Sequence, residues 1–229
     1  MCGRFVQERS VTELAELFEA EPLAAAIEEL ATPRYNLAPT DPAAVVVERI
    51  DGRRAIAAYR WGLIPHWATS AREAARTINA RAETVATTPA FREAFRRRRC
   101  LVPSDGFFEW SIVDGRRAPF LIRNRDGSPL VLAGLWAGWR DPASGESRRT
   151  FTIVTTAAGD AIRPLHDRMP VALAREDWST WLDPEPADPV ALRVILERAT
   201  DSGLEMRRVS PLVNSVRNQG PDLIEPLAV

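Results

Sequence analysis

The most reactive residue type in this chain stands at its beginning, in the stretch Met1-Cys2-Gly3. Cysteine is small enough for the initiator methionine to be removed before it, which would leave an amine and a thiol on adjacent carbons. Such a 1,2-aminothiol condenses with an aldehyde: the amine forms an imine, and the thiol then closes on the imine carbon to give a thiazolidine. An internal cysteine such as Cys100 cannot react in this way. The alternative is an uninvolved residue at a frayed terminus.

The basic residues sharpen this hypothesis, because all 30 of them are arginines and the chain contains no lysine. The N-terminal amine is then the only primary amine. An α-amine with a pKa of about 7.7 to 8.0 is roughly one tenth neutral at pH 7, whereas a lysine with a pKa of about 10.4 is almost fully protonated. No side-chain amine competes with the terminus for an aldehyde.

Three polar residues could assist such chemistry, and each has an ordinary structural alternative. His166, in Pro164–Pro170, can act as an acid or a base, or can cap a turn. Glu109 lies among aromatic residues in 105–110, where burial would raise its pKa and suit it to proton transfer, although it could equally face solvent. Asn79 offers a donor and an acceptor that could orient the amine of residue 2, or it could form a turn.

Arginines and tryptophans suggest a nucleic-acid partner. Arg4, Arg81 and Arg168 could hold phosphates, and Trp67 and Trp110 could stack on bases, which is the combination expected of a single-strand binding cleft. Tryptophans are, however, more often core residues than stacking platforms. The run of arginines at 96–99 is most simply a solvated helix end, with phosphate contact as the alternative.

Composition limits the classes of protein to which the chain can belong. The net charge of −1 argues against coating nucleic acid through bulk charge, and 45% hydrophobic residues can fill a sizeable core. No apolar run is long enough for a membrane helix and no secretory signal is visible, so we expect a cytoplasmic protein. Two cysteines 98 positions apart give neither a disulfide framework nor a zinc site. We therefore expect neither a metal nor a cofactor.

Turn and capping signals predict the elements that must position these residues. Ser10 and Glu13 form a capping box at the start of an amphipathic helix, and a further helix is expected over 88–98 with Thr88 as its cap. Asp-Gly pairs at 51–52, 114–115 and 126–127 separate strand-like runs and indicate tight hairpins. Strands outnumber helices, which favours an α+β fold with a distorted, largely antiparallel, barrel-like sheet and peripheral helices, in one domain over 1–229.

Seven motifs, taken together and in order, resemble those of the SOS response-associated peptidase (SRAP) family, the abasic-site processing proteins. The resemblance extends from residue 2 to about 226. The motifs are MCGRF at residues 1–5, YNLAPT at 35–40, WGLIPHW at 61–67, NARAET at 79–84, GFFEW at 106–110, HDRMP at 166–170 and VRNQG at 216–220.

The resemblance implies a sensor of abasic sites in single-stranded DNA that couples covalently to them and shields the lesion during replication and the SOS response. It implies that Cys2 is the nucleophile, that Asn79 and His166 hold and polarise the reacting groups, and that Glu109 is the acid/base. The resemblance also implies that five residues lie along the DNA: Arg4, Pro39, Trp67, Arg81 and Trp110. Arg168 is added as a sixth, because its guanidinium could hold a phosphate.

Several activities remain open at this stage. Removal of Met1 by the same side chains would make the protein a self-processing peptidase, and the imine step allows lyase activity. A cysteine peptidase acting in trans and a non-catalytic single-strand binder are the alternatives. We expect a monomer that acts at the nucleoid during DNA damage and has no membrane partner.

Overall fold

The computed structural model describes residues 2–185, 187–199 and 201–227. Among these residues the strands outnumber the helices. The strands are β1 (Phe5–Gln7), β2 (Ala20–Pro22), β3 (Arg34–Leu37), β4 (Pro42–Glu48), β5 (Arg54–Trp61), β6 (Asn79–Arg81), β7 (Arg99–Ser104), β8 (Gly106–Val113), β9 (Arg116–Asn124), β10 (Leu130–Arg140), β11 (Ser147–Ala157), β12 (Arg168–Pro170) and β13 (Leu204–Arg208).

The helices are short and lie mostly towards the two ends of the chain. The α-helices are α1 (Val11–Phe18), α2 (Ala24–Glu29), α3 (Arg92–Arg97), α4 (Trp178–Leu182) and α5 (Pro189–Glu197), and 3-10 turns cover Ala71–Arg76, Arg175–Asp177, Pro211–Asn214 and Pro221–Leu223. None of the helices within the described residues has the length and apolar character needed to cross a membrane.

The larger sheet closes on itself. Strands β11, β10, β7, β4 and β5 are neighbours in that order, and β5 returns to β11, where Thr150 pairs with Arg60. This closing contact is parallel, whereas β10–β11, β7–β10 and β4–β5 are antiparallel. The result is a five-stranded barrel within an α+β fold, which confirms the predicted fold class. Strands β2, β6 and β12 extend the sheet beyond the ring.

Each face of the ring packs against a different layer. One face contributes Val46, Ile56 and Leu101 to a cluster with residues of the helices, among them Phe18 and Trp181. The other face packs against a second sheet with the strand order β13-β9-β8-β1-β3. In that second contact the Phe5 ring lies edge-on to Trp61, with the centroids 5.0 Å apart. Strand β1, and Cys2 before it, are thereby anchored in the core.

Most local signals give the predicted structure. Ser10 and Glu13 form the capping box at the start of α1. Turns at Asp51-Gly52 and Asp114-Gly115 join the antiparallel pairs β4–β5 and β8–β9. Gly52 and Gly115 have φ of 77° and 73°, in the left-handed region that glycine adopts readily.

Two local predictions are wrong. Helix α3 begins at Arg92 rather than after Thr88, because the Thr88 hydroxyl donates backward to the Thr84 carbonyl (2.9 Å) and does not cap the helix. The Asp126-Gly127 turn connects β9 and β10, which belong to different sheets, so it does not form a hairpin.

Candidate functional site

Strand pairing brings the N-terminal segment against Glu109. Strands β1 and β8 are antiparallel with Phe5 opposite Phe107, and the Phe108 N–H donates to the Arg4 carbonyl at 3.0 Å. Continuing this register towards the terminus places Gly3 opposite Glu109. The backbone next to Cys2 and the carboxyl group are therefore neighbours because of the sheet, although they are far apart in sequence.

Asn79 fixes the backbone of Cys2. It begins β6, which runs parallel to β11 with Asn79 opposite Ile153. Its Nδ2 donates to the Cys2 carbonyl oxygen at 2.8 Å. Its Oδ1 is buried and has no hydrogen-bond partner within the described part of the chain. The turn interpretation is therefore wrong: the side chain holds residue 2 and keeps one acceptor available beside it.

Cys2 is an ordered, fully buried residue rather than part of a frayed end. Its Sγ lies 3.8 Å from the Arg4 carbonyl oxygen, a weak hydrogen bond. Burial raises the pKa of the Cys2 thiol well above its ordinary value. The sulfur is consequently held as a neutral thiol at neutral pH.

Glu109 faces the interior, so the solvent-facing alternative is wrong. Its side chain lies in β8 between Phe108 and Trp110, and the residue is only 4% exposed. Burial raises the pKa of Glu109 from its ordinary value of 4.5 to about 7. A carboxyl group with this pKa is present in both protonation states near neutral pH, which suits it to give or take a proton.

His166 lies in the turn between β11 and β12. Its Nδ1 is 2.9 Å from the backbone nitrogen of Arg168 and 2.8 Å from Asp167 Oδ1, contacts that use different protonation states of the ring. Burial lowers the pKa of His166, which favours the neutral ring with Nδ1 accepting from the Arg168 N–H. The remaining ring proton is then on Nε2, where it can be donated.

Glu109 and His166 border one cavity of about 660 Å³, which we call the terminal cavity, whereas Cys2 and Asn79 lie outside its lining. It is lined by Gly3, Arg4, Glu109, Trp110, Arg117, His166 and Asn214. An acid/base pair with unlike environments, a residue adjacent to Cys2 and two arginines thus meet in a space large enough for a nucleotide-sized group. Of the residues predicted to contact DNA, Arg4 and Trp110 lie in this lining.

Arg4 and Trp110 are held in place by other residues around the cavity wall. Arg4 Nη1 donates to Asn36 Oδ1 at 2.7 Å and to the Val213 carbonyl at 3.0 Å. Trp110 Nε1 donates to Asn214 Oδ1 at 2.7 Å. The Arg4 guanidinium carbon lies 5.9 Å from the Trp110 ring centroid, within cation–π range.

The other predicted DNA-contacting residues do not line this cavity. Arg81 is exposed on β6, and Trp67, 55% exposed, follows β5. Pro39 is half-buried after β3. Arg168 forms a double hydrogen bond with the Glu83 carboxylate, at 2.6 and 2.9 Å, and also donates to the Thr155 carbonyl. Its guanidinium is therefore largely engaged within the protein.

Sequence reasoning missed Arg117 and Asn214. The Arg117 guanidinium carbon lies 5.1 Å from the Trp110 ring centroid, closer than that of Arg4. A signal existed, because the hairpin at Asp114-Gly115 sets Arg117 opposite Ile112 and therefore diagonal to Trp110 on the same face. Asn214 is brought in by long-range packing of Val213, for which the sequence offers no local signal.

Comparison with known proteins agrees with this architecture. The Abasic site processing protein YoqW of Bacillus subtilis is 35% identical over 226 residues, covering 98% of this chain and 99% of the relative. The Abasic site processing protein YedK of Escherichia coli is 31% identical over 230 residues, covering 99% and 100%.

Solved structures share the fold. A protein from Bacteroides thetaiotaomicron superposes with a TM-score of 0.86 at 23% identity, covering 99% of this chain and 100% of the other. A phage-related protein from Bordetella bronchiseptica gives 0.72 at 30% identity, covering 96% and 100%. The family profile described as SOS response associated peptidase (SRAP) matches residues 1–216. With this match and these relatives, the chain belongs to the SRAP family.

Proposed function

We propose that this protein senses and processes abasic sites in single-stranded DNA by forming a covalent bond through Cys2. The relatives named above are called abasic site processing proteins. The observation that carries the proposal is the hydrogen bond from Asn79 to the Cys2 carbonyl. It holds Cys2 in place directly before Gly3, the residue that lies opposite the buried Glu109. An abasic nucleotide lacks its base and needs little unstacking energy to enter such a cavity.

The reaction proceeds in two steps once Met1 has been removed. Glu109 and His166 move protons at the sugar oxygens and favour the open aldehyde of the deoxyribose. The Cys2 amine adds to carbon 1′, and loss of water gives an imine. The Cys2 thiol then adds to the imine carbon while its proton passes to the nitrogen, which closes the thiazolidine ring.

The neutral state of the Cys2 thiol fits this order of events. A buried, protonated thiol is a poor first nucleophile, so the amine attacks first and the sulfur captures the imine. The imine is the electron sink that would allow the strand to break by β-elimination. Addition of the thiol to the imine shields the lesion during replication. An imine that is not captured by the thiol can undergo β-elimination, which gives the broken strand of a lyase reaction.

Removal of Met1 belongs to the same site. We infer that water adds to the Met1 carbonyl and that the bond to the Cys2 nitrogen breaks, with Glu109 protonating the leaving amine. This is the peptidase part of the proposal. Mass spectrometry of the chain made in a translation system without methionine aminopeptidase tests it: the wild type should lose Met1, and Glu109→Gln should keep it.

The path of the DNA strand follows from the cations and rings around the terminal cavity. Arg4 and Trp110 lie at the cavity itself. We propose that Arg81, Trp67 and Pro39 contact the strand beyond it. Arg168, on β12, has mainly a structural role: it bonds to Glu83 after β6 and to the Thr155 carbonyl on β11. Contact with a phosphate is secondary.

The direct experiment is incubation with single-stranded oligonucleotides carrying one abasic site, followed by a denaturing gel. A heat-stable adduct is expected for the wild type and none for Cys2→Ala or for a form that retains Met1. Normal cross-linking by the Met1-retaining form would overturn the amine-first mechanism. The matched control is Cys100→Ala, which leaves the terminal residue intact.

The alternative activities predict different losses. A cysteine peptidase acting in trans needs the Cys2 thiol but not its amine, and a non-catalytic binder needs neither. Glu109→Gln and His166→Ala should slow cross-linking more than they weaken binding to intact single strands.

Within the cell, we propose that the protein is a cytoplasmic monomer that acts at the nucleoid during the response to DNA damage.

A further inference from the structure

A second cavity, which shares no lining residue with the terminal cavity, lies elsewhere on the barrel. Its volume is about 900 Å³, and we call it the arginine cavity. The residues that give it its chemistry are Ile50, Tyr59, Arg97, Arg98, Trp136 and Arg149. The proposed reaction at Cys2 uses none of them.

The lining of the arginine cavity is strongly cationic. Arginines 49, 97, 98, 99 and 149 line it, against the carboxylates of Glu48 and Asp51. Two of these arginines are already occupied. Arg99 donates to backbone carbonyls, including those of Phe95 and Trp181, and Arg49 lies beside Asp51. Arg97 has only a loose, exposed contact with Glu93 at 3.8 Å.

Arg98 is the unusual member of the set. It is half-buried at the C-terminal end of α3, and its side chain has no hydrogen-bonded or ionic partner among the residues described. Its Nε is buried and unpaired. Buried polar groups are nearly always hydrogen-bonded, so this guanidinium nitrogen at a cavity wall offers a donor to an acceptor from outside the chain.

Arg149 supplies a second guanidinium, which lies against two aromatic rings. Its guanidinium carbon lies 5.8 Å from the ring centroids of both Tyr59 and Trp136, and its Nη1 contacts the Tyr59 hydroxyl at 3.2 Å. A guanidinium stacked on rings keeps its N–H edge for bidentate recognition of phosphate. The Trp136 ring is only half-buried and offers a surface to a further planar group.

We propose that the arginine cavity binds a nucleoside phosphate, with Arg98 and Arg149 on the phosphate and Trp136 against the base. The ligand is either a free nucleotide or one nucleotide unit of a DNA strand, since both present the same chemistry. This binding is independent of the covalent reaction at Cys2.

Isothermal titration of Cys2→Ala protein tests the proposal, because this background cannot form the proposed adduct. The probes are deoxyadenosine 5′-monophosphate, deoxyadenosine and inorganic phosphate. The nucleotide should bind more tightly than either part alone. Arg98→Gln and Arg149→Gln should each weaken nucleotide binding about tenfold, the effect of losing one charged hydrogen-bond partner. Trp136→Leu should reduce the difference in affinity between the nucleotide and inorganic phosphate.

The matched control is Arg92→Gln, which removes the same charge from the exposed first residue of α3. It should leave binding unchanged. Arg98 has no partner to lose among the described residues, so Arg98→Gln should melt at the wild-type temperature, and a loss of binding then reports the site. Absence of saturable nucleotide binding at millimolar concentration, equal binding of phosphate and nucleotide, or full retention in Arg98→Gln would each overturn the proposal.

A further arm separates the two sources of the ligand. Fluorescence anisotropy of a labelled intact oligothymidylate, measured with and without competing nucleotide, should show competition if the strand occupies the cavity. The cavity is assigned to free nucleotides if the nucleotide does not compete with the strand and if Arg98→Gln loses nucleotide binding. Polyglutamate that competes as well as the nucleotide would contradict the proposal. Failure of abasic-site cross-linking would leave all these readouts unchanged.

Discussion

The side-chain amide of Asn79 donates to the carbonyl of Cys2 at 2.8 Å, joining the start of β6 to the residue that lies shortly before β1. This bond fixes the carbonyl group of residue 2, one peptide unit before Gly3. It also leaves Asn79 Oδ1 as an acceptor for an amine hydrogen. We therefore propose that Asn79 is a positioning residue for the terminus in the proposed reaction.

Replacing Asn79 by Ala should slow cross-linking to abasic single strands by about tenfold or more, because loss of one hydrogen bond in a positioned site costs on the order of 1 to 3 kcal/mol. Binding to an intact strand should not change. Single-turnover cross-linking and anisotropy measure the two quantities. Asn124→Ala, on β9, is the control. Equal losses of rate and binding would assign Asn79 a purely structural role.

Glu109 should make stability depend on pH. Its pKa is raised in the folded protein from 4.5 to about 7, so the folded state retains a proton that the unfolded state has lost between these values. The free energy of unfolding should therefore fall as pH rises from about 5 through 7, by up to ~3 kcal/mol. Glu109→Gln should remove this fall.

Urea unfolding at pH 5 and pH 8 checks the pH prediction. The comparison is between the wild type, Glu109→Gln and Glu28→Gln, which alters an exposed carboxylate on α2. Glu28→Gln should keep the wild-type dependence on pH. A Glu109→Gln profile parallel to that of the wild type would show that the carboxyl group is not tuned by its burial.

Arg81 and Arg168, which lie on either side of Thr155, should differ in function. Arg168→Gln breaks the double hydrogen bond to Glu83 and should lower the free energy of unfolding by about 1 to 3 kcal/mol. Arg81→Gln should leave stability intact but reduce the slope of log K against log salt for single-strand binding by about 0.7. A reversed pattern in the two assays would place the phosphate contact at Arg168.

Arg117 should contribute to strand binding although the sequence did not single it out. Its guanidinium packs on Trp110 at the terminal cavity, so Arg117→Gln should weaken binding of intact single strands by about tenfold. Arg116→Gln removes the same charge from the adjacent, opposite face of β9 and should have little effect. Anisotropy titrations at fixed salt compare the two. Similar losses would reduce the role of Arg117 to general charge.

Local chemistry accounts for the features that the sequence predicted well. Asp51-Gly52 and Asp114-Gly115 adopt hairpin turns because glycine accepts positive φ, and their position fixes the register of the flanking strands. Asp126-Gly127 carries the same signal but joins two sheets, since the turn does not determine which strand β10 will meet.

The contacts that assemble the site depend on long-range pairing and lie beyond local patterns. The sequence indicated Cys2, Asn79, Glu109 and His166 as reactive candidates through their chemistry and the family resemblance. It could not indicate that Gly3 faces Glu109, because that follows from the pairing of β1 with β8. The Glu83 partner of Arg168 was equally hidden, as it depends on β6 and β12 flanking β11.

The parallel contact between β5 and β11 also limits when the barrel can close during translation. Thr150 and its partner Arg60 are about ninety positions apart, so the ring cannot close until β11 has left the ribosome. Asn79 pairs with the same strand. Cys2 precedes β11 by more than half of the chain, so it is synthesised well before the strand that pairs with Asn79. During translation the Cys2 thiol therefore lacks the burial of the folded site until β11 has emerged, and it is open to aldehydes and oxidants for that time.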